Sequence, residues 1–139
     1  MARYLLDANI LSALLTNPYG GVAAKMAKAT GGRSGQLCTS VIVAAEVHYG
    51  LKKKSSMRFA AKPHQLLASL DILPLGLDVI DHYARIRVEL ERAGRIIGAN
   101  DLLIAAHTVA ADSILVTNNI REFARVKGLR IENWLENGK

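Results

Sequence analysis

Residues 3–11 read RYLLDANIL, and this stretch sets the interpretation of the whole chain. Arg3–Leu6 is a short run with the apolar character of a buried strand. A helix is predicted over about Ile10–Thr16, because Asn17-Pro18 is a pair that commonly ends helices. Asp7 stands between the two elements, so a charged residue is expected at the carboxyl end of the first strand.

The order of a short strand followed by a helix recurs along the chain. The predicted strands are Arg3–Leu6, Gln36–Thr39, Ile72–Pro74, Ile114–Thr117 and Leu129–Ile131. Further helices are predicted at about Val22–Ala29, from Thr39 or Ser40 to Tyr49 with a stop at Gly50, Ser56–Leu70 with a kink or a break at Pro63, Asp78–Ala93, Asn100–Ala111 and Arg121–Val126. This alternation predicts an α/β fold with a five-stranded, mainly parallel sheet and helices on both faces. The 139 residues are interpreted as one domain with a core over about residues 3–134.

Composition excludes several classes of protein. One cysteine, Cys38, excludes an internal disulfide and any zinc site built on two thiolates. The four histidines form no HExxH motif, and His107 is expected to pack inside a helix interface. No apolar run reaches the ~20 residues that a membrane-spanning helix needs, so a reduced cytoplasmic location is expected. A net charge of +6 favours a polyanionic partner such as nucleic acid, although solubility alone could also account for it.

Three acidic residues lie in unusually apolar surroundings. Asp7 follows the first strand, Glu46 lies inside VIVAAEV, and Asp101 opens DLLIAA. Burying a carboxylate is costly unless a cation, a metal ion or hydrogen bonds compensate it. All three are expected at the carboxyl edge of the sheet, where a carboxylate cluster suits Mg²⁺ or Mn²⁺. Each also has a structural alternative: a helix cap for Asp7, a narrow polar stripe for Glu46 and a favourable helix-dipole contact for Asp101.

A fourth candidate position follows the fourth strand. Asn119 and Glu122 are expected at the same edge of the sheet as the three acids. Their spacing of three residues is also that of a capping box, in which both side chains bond to the backbone of the helix start.

Four motifs taken together resemble a PIN-domain ribonuclease, and more narrowly a VapC-type toxin of a bacterial toxin–antitoxin pair. They are LLDANIL, TSVIVAAEVHYG, IGANDLLIAAHT and LVTNNIREFARVKGLRIENW, and they span nearly the whole chain. The resemblance implies a parallel sheet with the first strand at its centre. It maps the metal-binding acids of the family onto Asp7, Glu46 and Asp101. The fourth family position, often Asp, is Asn119 here, a loss of charge that Glu122 is expected to offset in part.

The resemblance also implies the remaining functional residues and partners. Supporting roles fall on Asn9, Ser40 and Asn118. The family uses a divalent cation, Mg²⁺ or Mn²⁺, to cut RNA, with tRNA and ribosomal RNA among the known substrates. Its members are usually homodimers neutralised by a VapB-like antitoxin. Hydrolysis by metal-activated water would leave a 3′-hydroxyl and a 5′-phosphate.

Two groups of basic residues are candidates for RNA binding, with a solvated surface as the alternative for both. The first follows the Glu46 helix and the second follows Asn119; their members are Lys52, Lys53, Lys54, Arg58, Arg121 and Arg125. The arginines between residues 85 and 95 alternate with glutamates, so they are interpreted as an ordinary charged helix face.

Two other functions remain open at this point. An aspartate-nucleophile phosphatase would explain an Asp after the first strand, but residues 7–10 lack the second acid of that motif. A weakly active PIN-fold binding module could act with a DNA-binding antitoxin in operator repression, and the neutral Asn119 is compatible with it.

Overall fold

The structure, a computed structural model, describes residues 2–54 and 61–135. Five strands form one sheet: β1 (Tyr4–Leu6), β2 (Leu37–Ser40), β3 (Asp71–Leu73), β4 (Ile114–Val116) and β5 (Arg130–Glu132). Their order across the sheet is β3-β2-β1-β4-β5, and every neighbouring pair is parallel. The prediction of a parallel sheet with the first strand at its centre is confirmed.

The helices of the described residues connect these strands. They are α1 (Ala8–Thr16), α2 (Gly21–Thr30), α3 (Val41–Lys54), α4 (Ala61–Ala68), α5 (Val79–Arg92), α6 (Ala99–Ala110) and α7 (Ile120–Phe123), with a 3₁₀ turn at Ser34–Gln36. All residues of β1 and β2 are buried. Successive side chains of a strand point to opposite faces, so both faces of the central sheet are covered. None of the helices in residues 2–54 and 61–135 combines the length and the apolar character needed to span a bilayer.

The predicted end of α3 at Gly50 is wrong. The helix continues through this glycine to Lys54. A glycine costs about 1 kcal/mol in a helix interior but does not forbid helical dihedrals. The residues that follow it, Leu51 and three lysines, are good helix formers and extend the helix by another turn.

The kink or break expected at Pro63 concerned a helix over about Ser56–Leu70, of which the structure describes only α4. Pro63 is the third residue of α4. The first turn of a helix has no internal acceptors for its N–H groups, so a proline is tolerated there. The first part of the predicted 56–70 helix, including Arg58, lies outside the described residues.

The starts of α1 and α5 differ from the predictions, the first in position and the second in its capping bond. Asp7 caps α1 through its side chain, so this helix begins two residues earlier than predicted. Asp78 occupies the N-cap position of α5, but its side chain makes no capping bond. After α5, Gly94 adopts a left-handed φ of 65°, as predicted for a residue that ends a helix.

Candidate active site at the carboxyl edge of the sheet

Asp7 is a buried carboxylate whose two oxygens have different partners. It lies directly after β1, and 6% of its surface is exposed. Its Oδ1 accepts the backbone N–H of Ala8 at 2.9 Å, which caps α1. Its Oδ2 accepts the hydroxyl of Thr117 at 2.8 Å. The capping role considered from the sequence is therefore present, and the second oxygen is oriented by the residue that follows β4.

Thr117 is a residue of this site that was not predicted from the sequence. It is fully buried, and its Oγ1 also accepts the backbone N–H of Asn119 at 3.0 Å. Asn9 adds a second link between the same two loops, because its Oδ1 accepts the backbone N–H of Asn118 at 3.1 Å. Asn118 thus contributes its main chain, while its side chain is exposed. The signal was a threonine directly after a buried strand, the position at which parallel strands present ligands.

Asp101 lies in the first turn of α6, and its pKa is affected by the charges of the other acids of the site. Its pKa is raised from 3.8 to about 6, first by burial and then by the negative charges of Glu122, Asp7 and Glu46. Repulsion of this kind requires that the other three carboxylates lie within electrostatic reach of Asp101. The prediction that these acids gather at one edge of the sheet agrees with this effect.

Asn119 lies between two of these acids. Its Nδ2 donates to Glu122 Oε2 at 3.0 Å and to Asp101 Oδ2 at 3.5 Å. Its side chain makes no capping bond to α7, so the capping-box alternative is wrong. The amide of Asn119 bonds to two carboxylates and makes no capping bond to the helix backbone. A charged acceptor makes a stronger hydrogen bond than a neutral backbone group does.

Glu122 carries a fourth formal charge on this edge and remains ionised. Its pKa is lowered mainly by the hydrogen bond from Asn119, with help from the backbone N–H of Gly98 and the charge of Arg125, while its partial burial opposes them. The Gly98 bond measures 3.3 Å and ties α7 to the start of α6. Asp101 and Glu122 therefore differ in their readiness to bind a proton although both contact Asn119.

Glu46 projects from the second turn of α3. Its Oε2 accepts a hydrogen bond from Asn100 Nδ2 at 3.2 Å. Asn100 precedes Asp101, so one turn of α6 supplies both an acid of the cluster and a donor to another acid. Asn100 was not singled out from the sequence.

Ser40 contacts the site indirectly. Its fully buried Oγ accepts the N–H of Ile42, which caps α3, and lies 2.7 Å from Nδ1 of His107. Since the serine oxygen already accepts from Ile42, its own proton is available for His107. His107 is buried, as predicted, and burial lowers its pKa. This pair joins the last residue of β2, which directly precedes the helix α3 that carries Glu46, to α6, which carries Asp101.

The oxygen donors suit a hard divalent cation, but they do not form a finished metal site in this arrangement. Within residues 2–54 and 61–135, no three His, Cys, Asp or Glu side chains are grouped closely enough to hold an ion. Amide groups from Asn100 and Asn119 contact the carboxylates of Glu46, Asp101 and Glu122. The donor chemistry of carboxylate and amide oxygens is that of Mg²⁺ and Mn²⁺ sites.

The predicted basic residues are spread over different surroundings. Lys53 lies 5.9 Å from the ring of Tyr49, and Arg121 is exposed. Arg125 donates to the backbone oxygen of Ile96 at 3.0 Å. Arg58 and the side chain of Lys54 lie outside the described part of the structure.

Comparison with known proteins identifies the family. The sequence profile of the PIN domain matches residues 4–129. Ribonuclease VapC2 of Rickettsia felis is 40% identical over 94% of this chain and 97% of its own length. The tRNA(fMet)-specific endonuclease VapC of Shigella flexneri is 34% identical over 96% of this chain and 99% of its own. In the crystal structure of VapBC2 from Rickettsia felis bound to a promoter DNA fragment, a chain that is 35% identical superposes with a TM-score of 0.84, covering 94% of this chain and 98% of that one. The chain therefore belongs to the PIN domain family and, within it, to the VapC ribonucleases of VapBC toxin–antitoxin systems.

Proposed function

We propose that this protein is an endoribonuclease toxin that hydrolyses RNA phosphodiester bonds with a divalent metal ion. The observation that carries the proposal is the acidic cluster, in which burial and then the negative charges of Glu122, Asp7 and Glu46 raise the pKa of Asp101 to about 6. A cation that binds to such a cluster stabilises it, because the positive charge offsets the repulsion among the carboxylates. The names of the VapC relatives support ribonuclease activity, and the donor set supports the metal.

Asp7, Glu46 and Asp101 are the proposed ligands for Mg²⁺ or Mn²⁺. When bound, such an ion supplies a Lewis acid for the phosphate and lowers the pKa of a coordinated water. Thr117 orients the Asp7 carboxylate through its 2.8 Å hydrogen bond. Glu122 contributes the negative charge that Asn119, as a neutral amide, does not provide.

Asp101 and Glu122 lose their protons in different ranges of pH. Asp101 must release its proton, with a pKa of about 6, before it can act as a ligand. Glu122 is already ionised at that pH because Asn119 and Gly98 donate hydrogen bonds to it. The site therefore reaches its full negative charge as the pH rises past the pKa of Asp101.

The test is the analysis of cleavage products from purified protein and RNA. We expect cleavage that requires Mg²⁺ or Mn²⁺ and that leaves 5′-phosphate and 3′-hydroxyl ends. Asp7→Asn preserves shape but removes a charge, and it should abolish cleavage without unfolding the protein. Cleavage that survives a chelator, or products with 2′,3′-cyclic phosphates, would contradict the proposal.

We propose transfer RNA as the first substrate class to test. The support is that the Shigella flexneri relative, 34% identical, is named a tRNA(fMet)-specific endonuclease. The experiment is sequencing of RNA 5′-phosphate ends after induction, with Asp7→Asn as the matched control. Cuts confined to ribosomal RNA would move the substrate assignment and leave the nuclease assignment intact.

We propose that a VapB-like antitoxin neutralises the toxin and that two copies of the chain form a homodimer. The Rickettsia felis relative was crystallised as a VapBC2 complex, which supports the first partner. Leu77, just before α5, and Ile80, in its first turn, are 86% and 65% exposed, and large exposed apolar side chains support contact with a second copy. Sedimentation of wild type and of Ile80→Lys measures whether the protein is a dimer. Co-expression with the neighbouring gene measures whether its product neutralises the toxin.

Operator repression is a second proposed activity of the toxin–antitoxin complex. The support is that VapBC2 from Rickettsia felis was crystallised on a fragment of promoter DNA. This role is compatible with the nuclease, because an antitoxin supplies the DNA-binding surface. Asp7→Asn should retain promoter binding in complex while losing RNA cleavage, and loss of both would contradict the separation.

A further inference from the structure

The arginines of α5 and the residues just after it fall into two groups. Arg85 and Arg87 pair with the glutamates one turn further along, Arg85 with Glu89 at 3.5 Å and Arg87 with Glu91 at 3.1 Å. Arg92 and Arg95 are exposed, and neither makes an ion pair of this kind in the described part of the chain. The charged surface expected from the sequence is therefore paired with glutamates at Arg85 and Arg87, whereas Arg92 and Arg95 are exposed without such pairs among the described residues.

Arg92 and Arg95 share a groove with two basic residues that follow α7. The groove has a volume of about 410 Å³ and is also lined by Arg125, Lys127, Leu90 and Ala93. One acid, Glu89, borders it, and that carboxylate is the partner of Arg85. Four cations and one engaged acid leave the groove strongly positive.

The groove is linked to the acidic cluster through Arg125. Arg125 donates to the backbone oxygen of Ile96, and its charge lowers the pKa of Glu122. Glu122 in turn accepts the backbone N–H of Gly98. These two hydrogen bonds lie two residues apart on the short segment between α5 and α6, so one residue of the basic groove, Arg125, lies near the fourth acid of the site.

We propose that this groove binds the phosphodiester backbone of the RNA substrate and guides it to the acidic site. The proposal rests on the proposed ribonuclease function and adds the surface that delivers the substrate. Guanidinium groups suit phosphate because they donate two parallel hydrogen bonds to it. The repulsive acids hold RNA away from the cluster, so nearby cations are needed to offset that repulsion.

The test compares two triple variants with equal loss of charge. The groove variant is Arg92→Gln, Arg95→Gln and Lys127→Gln; the control is Arg85→Gln, Arg87→Gln and Lys28→Gln. For binding measurements on a labelled oligouridylate, both triple variants also carry Asp7→Asn, which prevents cleavage. For cleavage assays, both retain Asp7. Arg125 is left unchanged because it ties α7 to Ile96.

The groove variant should bind the oligouridylate more weakly, with a log–log salt slope reduced by about 0.7 for each phosphate that the protein no longer neutralises. Its KM for RNA should rise while kcat changes little. Arg92→Lys with Arg95→Lys keeps the charge and should recover most of the binding. Equal urea midpoints for all variants would show that the fold is retained.

Three results would overturn the proposal. Affinity and slope equal to those of the control would assign the effect to net charge. Loss of antitoxin binding with unchanged RNA affinity would assign the groove to the protein partner. If the unsubstituted protein neither binds nor cleaves RNA, the proposed function itself fails, and this outcome is distinguished because it appears before any groove residue is changed.

Discussion

The Thr117 hydroxyl donates a 2.8 Å hydrogen bond to Asp7 Oδ2 and accepts the backbone N–H of Asn119 with the same oxygen. One buried atom thereby joins the acid after β1 to the loop after β4. The two neighbouring strands present their ends at the same edge, so this bond sets the orientation of the central carboxylate.

Replacing Thr117 with Val should lower both stability and metal affinity. The valine keeps the shape but leaves the Asp7 oxygen and the Asn119 N–H without their partner, at a cost of about 1–3 kcal/mol. Thr117→Ser retains the hydroxyl and serves as the control. Urea unfolding and Mn²⁺ titration measure the two effects, and a Val variant that matches the Ser variant in both would contradict the orienting role.

Asp101 should make stability depend on pH. Its pKa in the folded protein, about 6, lies above the ordinary value of 3.8, so the folded state binds its proton more tightly than the unfolded state does. The resulting contribution is present below the ordinary value and is lost as the pH rises through about 6. Asp101→Asn should remove this dependence from metal-free protein, as measured by urea unfolding across that window. An unchanged pH profile would show that the pKa of Asp101 is not raised in the folded protein.

His107 should act on stability in the opposite direction. Burial lowers its pKa below 6.5, although the backbone of Pro74 and the charge of Asp78 act against the shift. A depressed pKa means that the neutral ring stabilises the fold above pH 6.5 and that this stability is lost as the pH falls below it. His107→Gln should flatten that acid-side loss, and measuring it in the Asp101→Asn background separates the two groups.

Asn119→Asp should make the protein depend more strongly on a metal ion. The substitution removes the amide that contacts Asp101 and Glu122 and adds a negative charge between them. Metal-free protein should become less stable through repulsion, and the Mn²⁺ concentration for half-maximal cleavage should fall. Asn119→Ala is the control for loss of the amide alone, and it should cost less activity than Asp7→Ala. A metal titration that is the same for wild type and Asn119→Asp would place Asn119 away from the ion.

The lysine run at the end of α3 should contribute to RNA affinity. Replacing Lys52, Lys53 and Lys54 with Ala should reduce the log–log salt slope by about 0.7 for each phosphate that these lysines neutralise. The cleavage rate at saturating RNA should not change, because none of these residues belongs to the acidic cluster. A salt slope equal to that of wild type would show that these lysines do not contact the phosphates of the RNA.

The chain's own sequence indicated an α/β fold with a parallel sheet and singled out acids expected at one edge of it. Short apolar strands separated by helices permit a parallel sheet, and a parallel sheet brings the residues after its strands to one edge. Asp7 could be placed there because it directly follows an apolar run, and Asp101 because it opens a helix of apolar residues. These are local patterns, so no knowledge of distant contacts was needed.

The tertiary structure alone decided which atoms meet. Thr117 and Asp7 are 110 positions apart, and Asn100 and Glu46 are 54 apart, so no local pattern encodes their hydrogen bonds. The same holds for Asn119, where the sequence allowed a capping box and the fold placed two carboxylates within reach of the amide instead. Local sequence specifies backbone conformation, but competition between a backbone group and a distant charge is settled only when the elements pack.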